Sequence, residues 1–410
     1  MKKTDWFTEA RFGMFIHWGI YAIPAEGEWI YARKKWQPGE YEKLMEQFNP
    51  VDYDPAHWAK LAKAAGMKYV VFTTKHHDGF CMFDSKFTDY KVTNTPYKKD
   101  VLRMLTDAFR SEGLKIGFYH SLPDWTHPGY ADRESPEYML YEKLHEPTPE
   151  QHQAFLDYLY NQVEQLMTCY GKIDLLFFDY TSRFKAGTDY FDRERLLKMV
   201  YSHQPEILVN DRLAYYKDDV RDFDYYTPEV AVMNQPIQVK GKDVAWETCA
   251  TMNGFWGYVA SAGKCRDLVS LTAGLVGCVS GNGNLLLNVG PDSLGRIPPA
   301  TEAALGELAD WFRVNGEAVT GCGKSSFQAP FGTCYTQKGN VIYCYLLVPP
   351  LGDLILPGLR DKTDTITLLR TGEEVETIPV WGYELLKKDD FRIRPKDPRA
   401  GDVLKIVLKD

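Results

Sequence analysis

The chain has 410 residues, 44% hydrophobic and 25% charged, a globular composition with room for one large domain and a small one. Its net charge of −8 and the lack of a basic stripe argue against a nucleic-acid or anionic-membrane partner. No apolar run is long enough to span a bilayer, and the N-terminal MKKTDWFTEARFG lacks the apolar centre of a signal peptide.

The eight cysteines are scattered, with no CxxC pair and no histidine at zinc-finger spacing. Several, such as Cys278 and Cys344, sit inside apolar runs, as buried free thiols of a reducing compartment do. The expected location is cytoplasmic. Aromatic residues make up 14% of the chain, which suits sugar stacking and a large core equally.

In chain order, short apolar runs alternate with helical periods. GMFIHWG (13–19) is a strand candidate ending at His17, and PAHWAKLAKAAG (55–66) a helix stopped by Gly66. KYVVFTTKHHDG (68–79) ends in Lys75, His76, His77 and Asp78, and DVLRMLTDAFRSEG (100–113) is a helix opened by an Asp cap. LKIGFYHS (114–121) ends at Tyr119 and His120. The Pro-, His- and Tyr-rich stretch 121–150 reads as a long loop over the site. The long amphipathic helix 150–171 leads into IDLLFFDY (173–180) with Asp179, and helix 192–204 into EILVNDR (206–212) with Asn210, Asp211 and Arg212. DFDYYTPE (222–229), DVAWETC (243–249) and NLLLNVGP (284–291) carry Glu229, Glu247 and Asn288, and a helix at 301–319 ends the alternation.

Eight strand candidates with polar C-terminal ends, separated by helices, predict an α/β (β/α)8-like barrel over residues 1–320, its site at the strand C-termini. An open doubly wound sheet is the rival, although it does not usually recruit every strand. From Gly321 the pattern becomes alternating with Gly and Asp turns, which predicts a small C-terminal antiparallel β-sandwich over 321–410.

Asp179 follows a run in which an ionisable group is costly unless partnered or used. Glu229 follows a proline and precedes an apolar stretch, and Glu247 follows Trp246. A carboxyl among apolar neighbours has its neutral form favoured, as a general acid requires. An Asp paired with such a Glu is the constellation of a retaining glycosidase. His17, His76 and His77 end two strands and face the same mouth. Adjacent histidines diverge on a strand and neither HxH nor HExxH occurs, so hydrogen bonding to sugar hydroxyls, with Glu28, Trp29 and Tyr119, is favoured over a metal site. Asp78 is a candidate to orient a histidine, and Lys75 an ion-pair partner.

Together WFTEARFGMFIHWGIYAIPAEGEW, KYVVFTTKHHDGF, GFYHSLPDW, FFDY, VNDR, WETC with WGY, and GNGNLLLNVGPDSLGRIP resemble the α-L-fucosidases of glycoside hydrolase family 29 over about residues 5–320. The resemblance implies a metal- and cofactor-free retaining hydrolase that releases α-L-fucose from glycans by double displacement. It implies Asp179 as nucleophile and His17, Glu28, Trp29, His76, His77, Tyr119 and Arg212 around the sugar. Phe177 stands where the family often has Trp, and Phe15 and Trp256 are candidates for a niche around the 6-deoxy methyl. Glu229, in a T-x-E pattern, is the preferred acid/base and Glu247 the alternative. The rival readings are a non-catalytic fucose-binding barrel, a metal-dependent hydrolase on the same fold, and a retaining glycosidase for a related sugar such as α-L-galactose.

Overall fold

The computed structural model describes residues 2–133, 135–179, 189–213, 223–378 and 390–409. A short helix α1 (Asp5–Ala10) leads into β1 (Phe12–Ile16), and α2 (Ile30–Arg33) and α3 (Pro55–Ala64) lead to β2 (Tyr69–Lys75). Then follow α4 (Val101–Ser111), β3 (Lys115–Ser121), α5 (Pro136–Tyr141), α6 (Pro149–Cys169), β4 (Leu175–Asp179), α7 (Arg193–His203) and β5 (Leu208–Val209). A two-stranded hairpin, β6 (Gln238–Val239) and β7 (Lys242–Asp243), precedes β8 (Glu247–Thr251), α8 (Leu268–Ser280), β9 (Asn284–Val289) and α9 (Pro299–Asn315).

The barrel strands form one parallel sheet in the order β5-β4-β3-β2-β1-β9-β8. β1 and β2 are buried at every position, as strands covered on both faces are, so they read as continuous apolar runs rather than alternating ones. Side-chain caps start the helices: Asp54 accepts from His57 N, Asp100 from Arg103 N, and Thr148 forms a capping box with Gln151. α9 returns against α3.

The stretch 222–229 departs from its expectation. Its described residues, from Phe223, do not form a ladder strand. Single parallel bridges, Asn210–Tyr225 on one side and Tyr226–Trp246 and Glu229–Cys249 on the other, span the gap between β5 and β8. The cause is local: the Asp224 carboxylate takes the Val209 N–H at 2.9 Å, and Pro228 has no N–H to give. The gap between β5 and β8 is thus spanned by isolated bridges. Among the described residues no α-helix lies between β5 and β8.

α8 was not anticipated from periodicity, because it is apolar on nearly every side. One side packs on β9 and the other on the C-terminal sheet, so it has no polar stripe to reveal it. In the stretch expected as a long loop, α5 forms behind a Ser135 cap and contacts α2.

The C-terminal module has two antiparallel sheets. One has the order β10 (Gly323–Lys324), β11 (Thr333–Lys338), β12 (Val341–Leu346), β17 (Val403–Leu408), β14 (Thr363–Leu368). The other has β13 (Leu354–Leu356), β16 (Phe391–Arg394), β15 (Glu376–Ile378). Both contribute to one core that includes Ile342, Leu356, Ile366, Ile393 and Leu404. The module is bonded to the barrel by Trp311 Nε1, which donates to Gly401 O at 2.9 Å, and by Tyr345 Oη, which donates to Ala318 O at 2.6 Å.

Candidate active site

Asp179 is the last residue of β4, at the C-terminal mouth of the barrel. Its Oδ2 accepts from Tyr119 Oη at 2.9 Å and its Oδ1 from Arg212 Nη1 at 2.7 Å. His77 Nε2 stands 3.8 Å from Oδ2, and the Asp179 side chain remains 15% exposed, open to an incoming ligand.

Arg212 lies in the single turn that follows β5, its guanidinium 5.3 Å over the Phe177 ring. Its Nη2 donates to Glu229 Oε2 at 2.9 Å. One guanidinium therefore carries both carboxylates, one on each terminal nitrogen. Burial alone would lower the arginine's pKa, but the charges of Asp179 and Glu229 raise it above its usual value. Sharing a guanidinium brings the two carboxylates to one place at the mouth. Glu229 is the more exposed, with 44% of its side chain open, so it faces the entrance rather than the floor.

The histidines surround this pair. Asn288 Nδ2 donates to Trp256 O at 2.7 Å, so Asn288 Oδ1 is the acceptor facing His17 Nδ1 at 2.7 Å. The His17 proton is thereby assigned to Nδ1, and Nε2 is left as an acceptor. Burial pushes the His17 pKa down to about 4, against the opposing pull of Asn288 and Asp179, so the ring is neutral at physiological pH. Ser121 plays the same part for His77: its Oγ donates to Pro123 O at 2.9 Å and accepts from His77 Nδ1 at 2.6 Å. His76 stacks on Tyr119 with ring centroids 5.7 Å apart, and burial holds its pKa well below the usual value.

The two adjacent histidines do not diverge as strand residues would. β2 ends at Lys75, so His76 and His77 lie beyond the pleat and their rings approach to 4.2 Å. Among the described residues no group of three or more His, Cys, Asp or Glu is placed to hold a metal ion.

Glu28 is 5% exposed, and its Oε2 accepts from Gly257 N at 2.8 Å. Burial raises its pKa, while that bond lowers it. Trp29 stands edge-on to His77 at 5.3 Å and to Trp125 at 5.1 Å. Phe15 is 2% exposed and lies under His17, Phe177 and Trp256, so it forms the floor of the site. Trp256 is half-buried and faces His17 at 5.1 Å.

Lys75 pairs with Asp124 at 3.1 Å, both buried, as its ion-pair expectation had it. Asp78 does not orient a histidine. It accepts from Tyr41 Oη at 2.8 Å and from Phe80 N at 3.3 Å, and burial pushes its pKa up to about 7. From sequence alone Asn288 stands out only as a polar strand end, and Ser121 and Trp125 do not stand out, although each lies in a quoted motif; which polar atom orients which ring is a three-dimensional fact.

Glu247, the alternative acid/base, lies elsewhere. It opens β8 opposite Asn284, the first residue of β9, and so sits at the N-terminal end of the barrel. It is fully buried and accepts from Tyr69 Oη. Burial raises its pKa to about 8, against the lowering effect of Tyr69. The folded state therefore favours the neutral acid. That contribution is complete below the ordinary carboxyl range and is lost as pH rises through about 8. Glu247→Gln, neutral at every pH, is expected to flatten the fall in melting temperature between pH 5 and 8. At pH 7 the difference amounts to about 3 kcal/mol, with turnover kept within about threefold. An unchanged pH profile of stability, or lost turnover, would contradict this placement.

The family model described as Alpha-L-fucosidase matches residues 1–317. The tissue α-L-fucosidase of Homo sapiens is 31% identical over 393 residues, covering 89% of this chain and 80% of the human one. The solved structure of α-L-fucosidase isoenzyme 1 from Paenibacillus thiaminolyticus superposes with a TM-score of 0.92 at 41% identity, over 100% of this chain and 99% of that one. A family 29 α-L-fucosidase from Bacteroides thetaiotaomicron, solved as a trapped covalent intermediate with 2-fluoro-fucosyl fluoride, has a TM-score of 0.86 at 28% identity, over 100% of this chain and 96% of that one. With its barrel, its mouth of histidines and its carboxylate pair, this chain belongs to the α-L-fucosidases of glycoside hydrolase family 29.

Proposed function

We propose that Asp179 is the nucleophile and Glu229 the acid/base of this retaining α-L-fucosidase. The observation that carries the assignment is the single guanidinium of Arg212 bonded to both carboxylates at the barrel mouth. Asp179 attacks the anomeric carbon from the face opposite the glycosidic oxygen. Glu229 gives a proton to that oxygen as its bond to carbon breaks, and a covalent fucosyl ester of Asp179 forms. Glu229 then takes a proton from the water that attacks the same carbon, and the Asp179 carboxylate departs. Tyr119 and Arg212, already bonded to its two oxygens, receive the returning charge.

His17 offers Nε2 as an acceptor to a sugar hydroxyl, and His76, His77, Glu28 and Trp29 complete the hydroxyl-binding wall. Trp256, over the Phe15 floor, lines the niche for the fucose methyl. The substrate is a fucosylated glycan, cut from its non-reducing end. The eight cysteines are all free thiols, which supports a reducing, cytoplasmic setting.

The test is the stereochemistry of the first product. Hydrolysis of 4-nitrophenyl α-L-fucoside, followed by proton NMR within the first turnovers, is expected to release α-L-fucose before mutarotation. Release of the β anomer would mean direct attack by water and would remove the nucleophile from Asp179. Reaction with 2-fluoro-fucosyl fluoride, in which the anomeric fluoride leaves as the Asp179 ester forms, should add the mass of a 2-fluoro-fucosyl group to the peptide that contains Asp179.

A further inference from the structure

The segment that bears Glu229 is not held by a ladder. From Tyr225 to Glu229 its backbone pairs with the flanking strands through isolated bridges rather than a ladder. Something else must fix the acid/base relative to the nucleophile, because an error of about 1 Å at such a group costs on the order of 100-fold in rate.

Thr227 is the residue at which that fixing converges. Its N–H donates to Asp211 Oδ1 at 3.0 Å, and its hydroxyl donates to the same oxygen at 2.7 Å. The hydroxyl oxygen accepts from Arg212 Nε at 3.2 Å, and the Thr227 carbonyl accepts from Arg212 Nη2 at 3.4 Å. Asp211 and Arg212 lie in the turn one residue beyond β5, and the same Arg212 holds Asp179. Pro228 stands between Thr227 and Glu229; its ring limits its own φ and biases Thr227 to an extended conformation, so the clamp is transmitted stiffly to Glu229. On the far side Val230 N donates to Cys249 O at 2.9 Å, and Thr248 Oγ1 to Ala231 O at 2.7 Å. Glu229 is thus slung between two anchored points.

We propose that Thr227 is a positioning residue for acid/base catalysis: clamped to Asp211 and Arg212, it sets where the Glu229 carboxylate stands relative to Asp179. The proposal rests on the assignment of Glu229 as acid/base. It gives the threonine of the T-x-E pattern a physical task. A hydroxyl is required because it must donate to Asp211 while accepting from Arg212. Serine can do both, and the isosteric valine neither.

The test is leaving-group selectivity in kcat/KM, which reports the step that forms the fucosyl-enzyme. α-L-Fucosyl fluoride needs no proton at its leaving atom, whereas a fucosyl-α1,2-galactose disaccharide does. Thr227→Val is expected to lower kcat/KM on the disaccharide by about 10- to 100-fold while changing it less than about threefold on the fluoride. Thr227→Ser should stay within about threefold of wild type on both. Asp211→Asn, which keeps an acceptor oxygen but loses its charge, should show the same selectivity more weakly, and it decides the matter if the valine variant does not fold. Equal losses on both substrates, no loss on the disaccharide, or a serine variant as poor as valine would overturn the proposal. A Glu229→Ala variant assayed in parallel separates the two readings. If that variant shows no leaving-group selectivity, the acid/base assignment itself fails; if it does and Thr227→Val does not, only the role of Thr227 fails.

Discussion

Asp179→Ala is expected to lower turnover of 4-nitrophenyl α-L-fucoside by about 10⁴-fold or more, with little change in the fold. That loss corresponds to about 5 kcal/mol of barrier. An activated leaving group offers no relief, because what is missing is the atom that attacks the sugar. The bonds of Tyr119 and Arg212 to the carboxylate explain why the effect should be confined to chemistry. Tyr119 is packed under His76 and beside Phe177, and Arg212 keeps Glu229 and Thr227, so neither loses its seat when the carboxylate goes. The truncated side chain leaves room for a small anion on the nucleophile's face. Azide entering there attacks the fucoside directly and gives β-L-fucosyl azide, with inversion. A variant that retains a tenth of wild-type turnover would remove Asp179 from the centre of the mechanism.

The sequence carried the barrel because each strand ends in a polar group that an apolar run cannot tolerate by accident. His17, His77, Asp179 and Arg212 were legible for that reason, since strand C-termini in such a barrel share one mouth. What sequence could not carry was orientation. His17 is useful because Asn288 fixes its tautomer, and His77 because Ser121 does, and both facts depend on side chains from different strands. Glu247 shows the converse. Its run resembles those that end at the mouth, yet it begins β8 where the others close their strands, so the same kind of motif points to the opposite end of the barrel. DFDYYTPE, sixth of the eight candidates in chain order, reads as a strand because it ends in a polar group like the others, but the Asp224 side chain occupies the Val209 N–H that a ladder would use. α8 escaped notice because a helix buried on two sides loses the polar stripe that periodicity detects.

Glu229→Ala should produce a different signature from the loss of the nucleophile, and the difference is the sharper test of the pair. Proton donation to the leaving oxygen is worth about 10²- to 10⁴-fold, so kcat/KM on fucosylated disaccharides should fall by that amount. On 4-nitrophenyl α-L-fucoside the first step needs little help, and kcat/KM should fall far less. The second step then becomes slow, because no base activates water. A burst of 4-nitrophenol should appear, the fucosyl ester of Asp179 should accumulate, and KM should fall together with kcat. Azide needs no deprotonation and can enter past the exposed Glu229 position, whose side chain is 44% open. It should restore turnover by attacking the ester from the face the aglycone has left, giving α-L-fucosyl azide with net retention. The two variants thus yield azides of opposite configuration from one substrate. If Glu229→Ala gave the β azide, or lost activity equally on every leaving group, Glu229 would be a binding residue, and the proton donor would have to be sought elsewhere at the mouth.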